Sequence, residues 1–327
     1  MSRFIKNIIT VAMVILALSF FSFSVYFSYF APVSKNDSVI TFVVPQNKDN
    51  FNLEDSLFEQ KLIKNKKGFL FLQNNFFKNI EIKQGGYNLN QTLNTWEVLK
   101  KITGKQDLFW VNVFFCPRKE QVGEKLASIL GWDNTKLNEW NNLNKDTDYF
   151  EGVYYPDTYL IPANESVEDV AQRFINRFNE KFAPLSEDFV SKNIKWTTGL
   201  KIASLIAREA AGREDAKTIS GVIWNRLNTD MRLQIDATMQ YTLGKNENGS
   251  WWGNISLEQK QSDSPYNSYK HEGLPPTPIC SPNIEFIEAA LNPIETDCIF
   301  YLHDQNRQIH CAKTYKEHKA NIVKYLN

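Results

Sequence analysis

The chain has 327 residues, with 37 basic and 37 acidic side chains and no net formal charge. That balance excludes a nucleic-acid binder driven by phosphate neutralisation, which needs a basic excess. With 43% hydrophobic and 13% aromatic residues the bulk can bury cores, which excludes disorder, and the length fits about two domains. Four cysteines are too few for a disulfide scaffold, and a mean hydropathy of −0.40 excludes a multi-span membrane protein.

No charged residue lies between Lys6 and Lys35, and Ile8 to Phe30 is almost continuously apolar. At about 1.5 Å per residue this stretch covers roughly 34 Å, enough to span a hydrocarbon core. The reading is a single transmembrane helix over 8–30 behind a cytoplasmic tail over 1–7. Arg3 and Lys6 keep the N-terminus inside and put Ala31 onward outside. The run exceeds a signal-peptide core and lacks a small-residue cleavage site, which favours an uncleaved anchor.

After a polar linker, Val39–Val44 alternates as a strand and stops at Pro45. Leu53–Asn65 reads as a helix, Gly85-Gly86-Tyr87 as a turn, and Thr92–Thr103 as a second amphipathic helix closed by Gly104. These elements, with a closing strand, predict a small α+β module over 36–105. A connector follows over 106–150, with a strand over Leu108–Phe115 and helices over Gln121–Leu130 and Asn134–Asn142.

From Glu151 the texture changes. Ser166 caps a helix running to Phe182, and Val170, Phe174 and Phe178 form its apolar stripe. Helices follow over Thr198–Ala211 and Asp215–Leu227. Met231–Pro282 is rich in Gly, Pro, Ser, Tyr and Asn, and a loop of that length in a compact domain is a functional candidate. A helix over Asn283–Leu291, a hairpin flanked by Cys298 and Cys311, and a helix over Thr314–Leu326 complete the chain. The hairpin leaves two readings open for its cysteines, a disulfide or two buried thiols; Cys116 and Cys280 show no pairing signal. His271, His303, His310 and His318 are too scattered for a metal site, and no cofactor is expected.

Within Leu200–Ala211, helical spacing puts Glu209 on the same face as Ile202, Leu205 and Ile206. A carboxyl on a buried stripe is costly unless it is paired or protonated. Two readings follow: a general acid of raised pKa, or a buried partner of Arg226, Arg232 or Arg208. Glu214 and Asp215 open the next helix, where acids favour the positive end of the dipole. Groups suited to sugar hydroxyls are dense downstream: Asn225, Arg232, Gln234, Asp236, Thr238 and Asn267. Tyr266 and Tyr269 are candidate faces for pyranose rings. Trp251 and Trp252 are weaker candidates, being placed to cover a core.

The blocks Lys201-Ile-Ala-Ser-Leu-Ile-Ala-Arg-Glu-Ala, Val222-Ile-Trp-Asn-Arg-Leu, Met231-Arg-Leu-Gln-Ile-Asp-Ala-Thr, Ser264-Pro-Tyr-Asn-Ser-Tyr and Gly273-Leu-Pro-Pro-Thr-Pro-Ile occur in that order. Together with Glu151-Gly-Val-Tyr-Tyr-Pro-Asp-Thr-Tyr and Ala289-Ala-Leu-Asn-Pro, they make Glu151 to Asn321 resemble the endolytic murein transglycosylase (YceG-like) family. The upstream part resembles it more loosely, with an anchor and a LysM-like module around Thr41–Gly104. The family often carries a second Glu where this chain has Ala207, and Phe114-Phe-Cys-Pro-Arg departs from its usual Pro-Glu-Gly turn.

The resemblance implies a transglycosylase catalytic domain over 151–327 with a lysozyme-like active-site helix and Glu209 as the catalytic acid/base. It implies peptidoglycan glycan strands as substrate, at the bacterial cytoplasmic membrane beside the synthesis machinery. Lytic transglycosylation needs one carboxyl group. A hydrolase needs a second carboxylate about 5–9.5 Å away, for which Asp236 is the candidate. A non-catalytic glycan-binding scaffold is the third reading.

Overall fold

The computed structural model describes residues 3–143 and 151–326. The expected end of the connector, residues 144–150, lies outside the described residues. The chain packs as two units: residues 1–111 with 159–164, and residues 112–158 with 165–327.

The first unit begins with α1 (Arg3–Tyr29), whose apolar side chains are exposed along its length and which is long and apolar enough to cross a membrane. Then come β1 (Ile40–Val44), α2 (Leu53–Glu59), α3 (Lys66–Phe76), β2 (Gly85–Leu89), α4 (Thr95–Ile102), β3 (Leu108–Asn112) and β4 (Thr158–Pro162). The sheet order is β1-β2-β3-β4, and β1 runs antiparallel to β2 with Phe42 opposite Tyr87. Both residues face a core of Leu57, Phe69, Val98 and Leu99. The strand expected over Val39–Val44 is present as β1, but where two helices were expected there are three, α2 and α3 before β2 and α4 after it.

Two local expectations are corrected. The segment Leu53–Asn65 is not one helix. It breaks after Glu59, Lys61 takes a left-handed backbone (φ 56°), and Asn65 caps a new helix by accepting from the Lys67 and Gly68 amides. Gly85 and Gly86 do not form a turn but open the central strand β2. A Cβ on Gly86 would lie 2.9 Å from Leu108 Cβ, so the strand pair closes only over glycine.

The second unit holds α5 (Lys119–Leu130), α6 (Asn134–Asn142), α7 (Val167–Phe182), α8 (Ser186–Ser191), α9 (Trp196–Glu209), α10 (Ala216–Asn228), α11 (Asp236–Leu243), α12 (Ile284–Leu291), the hairpin β5 (Phe300–His303) and β6 (Ile309–Ala312), and α13 (Tyr315–Tyr325). Helix α9 is its centre. From Ile202 to Ala207 every residue is buried, and α10, α11 and α12 pack around it. The long loop thus contains a helix, α11, whose sequence shows no helical stripe.

The predicted strand over Leu108–Phe115 ends at Asn112. Phe115 and Cys116 then adopt left-handed backbone (φ 39° and 42°), turning the chain so that Cys116 meets Cys280 in a disulfide, Cα to Cα 5.1 Å. Cys298 and Cys311 form a second disulfide, Cα to Cα 5.8 Å, across the hairpin. All four cysteines are paired.

Candidate active site

Glu209 is the last residue of α9, half-buried, where the negative end of the helix dipole disfavours a second negative charge. Burial raises its proton affinity above the usual carboxylate range, and the nearby charge of Asp236 raises it further. A hydrogen bond from Tyr301, together with His303 and Arg208, pulls the other way without prevailing. Glu209 makes no ion pair with Arg226, Arg232 or Arg208 among the described residues.

Tyr301 Oη donates to Glu209 Oε2 at 2.7 Å. Strand alternation sets this up: Tyr301 and His303 share one face of β5, while Phe300 and Leu302 take the other. Phe300 meets the rings of Tyr315 and His318, and Leu302 is buried. His303 Nε2 lies 2.6 Å from Asp215 Oδ2, and Asp215 accepts the backbone amides of Ala211 and Gly212 at 2.8 and 3.1 Å. The chain leaving Glu209 is thereby tied to the same strand that holds its carboxyl. Sequence reading missed Tyr301 and His303.

The polar residues named from sequence separate into three groups. Asn225 Nδ2 donates to the carbonyls of Thr296 and Cys298 at 2.6 and 3.0 Å, fastening the approach to β5. Thr238 and Asn267 are fully buried and hold the long loop. Thr238 Oγ1 bonds the Ile235 carbonyl and Ser268 Oγ, and Asn267 Nδ2 donates to the carbonyls of Lys260 and Ser262. Both side chains are buried, so their hydrogen bonds serve the loop itself.

Arg232, Gln234 and Asp236 form the second group. They are exposed while Leu233 and Ile235 between them are buried, so the polar residues of the segment face outward. Gln234 has left-handed backbone (φ 51°), a costly state for a non-glycine residue; its amide donates to the Ser268 carbonyl at 3.0 Å. Asp236 starts α11 next to Glu209. It is held by Lys260 Nζ at 2.8 Å and by the Tyr269 hydroxyl, not by Arg232.

The half-buried tyrosines are the third group. Tyr266 Oη shares a hydrogen bond with Thr277 at 2.7 Å, and its ring centre lies 5.1 Å from that of Tyr241. Tyr269 carries Lys260 4.4 Å above its ring. Trp251 and Trp252 donate to Glu124 and Gln121 at 3.1 Å each and so clamp α5.

A second carboxyl of raised proton affinity lies in the same unit. Glu151 has no exposed surface, and burial pushes its pKa up to about 8. It accepts the Lys119 amide at 3.2 and 3.3 Å, the Gly152 amide at 3.3 Å and the Tyr241 hydroxyl at 3.3 Å.

The YceG-like family model matches residues 42–324. The chain belongs to the YceG-like family. Among YceG-like relatives, the endolytic murein transglycosylase of Bacillus subtilis (strain 168) is 28% identical over 328 residues, covering 92% of this chain and 89% of the relative. That of Streptococcus pneumoniae serotype 2 (strain D39) is 26% identical over 365 residues, covering 99% of this chain. This chain spans 66% of the length of the pneumococcal protein. The crystal structure of a YceG-like protein from Listeria monocytogenes superposes with a TM-score of 0.60 at 24% identity, covering 86% of this chain and 98% of that one.

Proposed function

We propose that this YceG-like chain is a membrane-anchored endolytic lytic transglycosylase that cuts peptidoglycan glycan strands internally. The observation that carries the reading is Glu209. It is a carboxyl at the end of a buried helix, inclined to hold a proton and fixed through one oxygen by Tyr301. Its Oε1 is left to face a substrate oxygen. The names of the bacillar and pneumococcal relatives support the same chemistry.

In this mechanism Glu209 protonates the oxygen joining N-acetylmuramic acid to N-acetylglucosamine, and the C1–oxygen bond breaks. The resulting carboxylate takes the proton of the muramic C6 hydroxyl as O6 bonds to C1, leaving a 1,6-anhydro end. One carboxyl serves both steps and water is not consumed. Asp236, already bound to Lys260 and Tyr269, is better suited to tuning Glu209 than to activating water. Arg232, Gln234, Tyr266 and Tyr269 are the side chains we assign to the glycan; Thr238 and Asn267 shape the loop that presents them, and Asn225 fastens the approach to β5.

The apolar α1, flanked by Arg3 and Lys6, supports a single-pass anchor in the cytoplasmic membrane with the body on the outer side. Two disulfides suit an oxidising compartment. There the β-α-α-β unit, as a LysM-like module, would hold strands close to the synthesis machinery.

Mass analysis of glycan fragments tests the reaction. Anhydro ends, one water lighter than reducing ends, are expected. Reducing ends alone would make the chain a hydrolase using Asp236, and no cleavage would leave a binding scaffold.

A further inference from the structure

Arg208 precedes the acid on α9 and makes no ion pair with it among the described residues. Its guanidinium carbon lies 4.1 Å from the centre of the Trp252 ring. Every other arginine among the described side chains reaches a carboxylate or a backbone carbonyl. Arg208 reaches neither among the described residues, and its Nε is buried without a hydrogen-bond partner. A charged donor withdrawn from water and left unpaired is destabilising, and burial accordingly lowers its hold on its proton.

Arg208 lines a cavity of about 270 Å³ with Trp252, Phe114, Phe115, Gln121 and Lys125. Phe114 and Phe115 are 72% and 50% exposed, although both are large and apolar. The left-handed backbone at Phe115 keeps this pair at the cavity. Lys125 is exposed and Gln121 half-buried. The lining carries two basic side chains and no acidic one. It therefore offers apolar faces beside an unpaired guanidinium fork, whose planar donors match a carboxylate. The volume suits a substituent rather than a whole polymer.

The geometry points to a subsite, one helix residue from Glu209, that receives the carboxylate-bearing arm of a muramic acid residue. This rests on the glycan reading above and adds to it what the strand must carry. The carboxylate is either that of the 3-O-lactyl group itself or that of a peptide attached to it.

Binding separates these sources. The full chain in detergent, carrying Glu209→Gln to prevent cleavage, is titrated with three ligands of equal length: peptide-bearing strands, amidase-stripped strands and neutral chitooligosaccharides. Adding Arg208→Gln is expected to weaken a carboxylate-bearing strand about tenfold, with chitooligosaccharides changed less than about twofold. The strand that shows the loss identifies the source. Lys125→Gln, at an exposed position that does not threaten folding, is expected to give a smaller loss of the same selectivity, about threefold, that fades with added salt. Equal losses on all three ligands, or none on either strand with both variants, would overturn the subsite. Cleavage is scored separately on the parent chain. Reducing ends alongside an Arg208-dependent loss would sink the lyase reading and leave the subsite standing.

Discussion

Glu209 and Glu151 are both carboxyls whose protons are held tightly by burial, in one unit of one chain. They differ in access and in partners. Glu209 is half-buried, meets a single hydroxyl and stands beside an exposed polar segment. Glu151 is sealed and receives two backbone amides and a hydroxyl, which pin the start of α5 to Tyr241 of α11. Raised proton affinity alone therefore does not single out the proposed catalytic acid; its exposure and its fewer partners do.

The largest expected effect separates the two. Glu209→Gln should lower glycan cleavage by about 10³-fold, with Glu151→Gln within about threefold of the parent, measured by release of anhydro ends. Comparable losses in both variants would erase the distinction.

Next in size is Tyr301→Phe, expected to lower kcat about 10- to 100-fold through loss of alignment. The pH profile gives the sign. Catalysis starts from protonated Glu209, so activity falls as pH rises through its pKa. Tyr301 stabilises the carboxylate. Its removal should move that alkaline limb to higher pH. Asp236→Asn removes a charge that raises the pKa and should move the limb to lower pH. Shifts in the same direction would disprove the arrangement.

Cys116→Ser opens a link spanning 164 positions and should cost about 2–5 kcal/mol in a denaturant titration. Cys298→Ser spans only 13 and should cost less. The smallest effect belongs to Glu151→Gln. A carboxyl raised from 4.5 to about 8 favours the folded state at low pH, and that contribution is lost as pH rises through about 8. The variant should match the parent in melting temperature near pH 4 and exceed it by a margin that grows as pH rises towards 9. A constant difference across that range would mean Glu151 does not carry its proton in the fold.

Much of this architecture is legible in the sequence where local signals are complete. Helices α6 and α7 begin after Asp133 and Ser166 because those side chains cap them, and the stripe of α7 is regular. Glu209 is legible because helical spacing alone puts it with Ile202 and Leu205. Strand β2 is not, because a Gly-Gly pair has the composition of a turn and only Leu108 across the sheet explains it. Helix α11 alternates polar residues with Ala237, Met239, Tyr241 and Leu243, a strand's period rather than a helix's, and it packs on α9. Tyr301 lies 92 positions beyond Glu209, and only the docking of the hairpin joins them. The signal available beforehand was alternation, which put Tyr301 and His303 on one side of a strand.

The hairpin itself has a further consequence. A two-stranded ribbon on its own frays in water. Here Cys298 and Cys311 enclose the whole of β5, including Tyr301 and His303, in a short covalent ring. While that ring is closed, β5 and β6 cannot separate widely, so Tyr301 keeps its place within the hairpin. The ring holds the hairpin's own shape, and its docking then brings Tyr301 to Glu209.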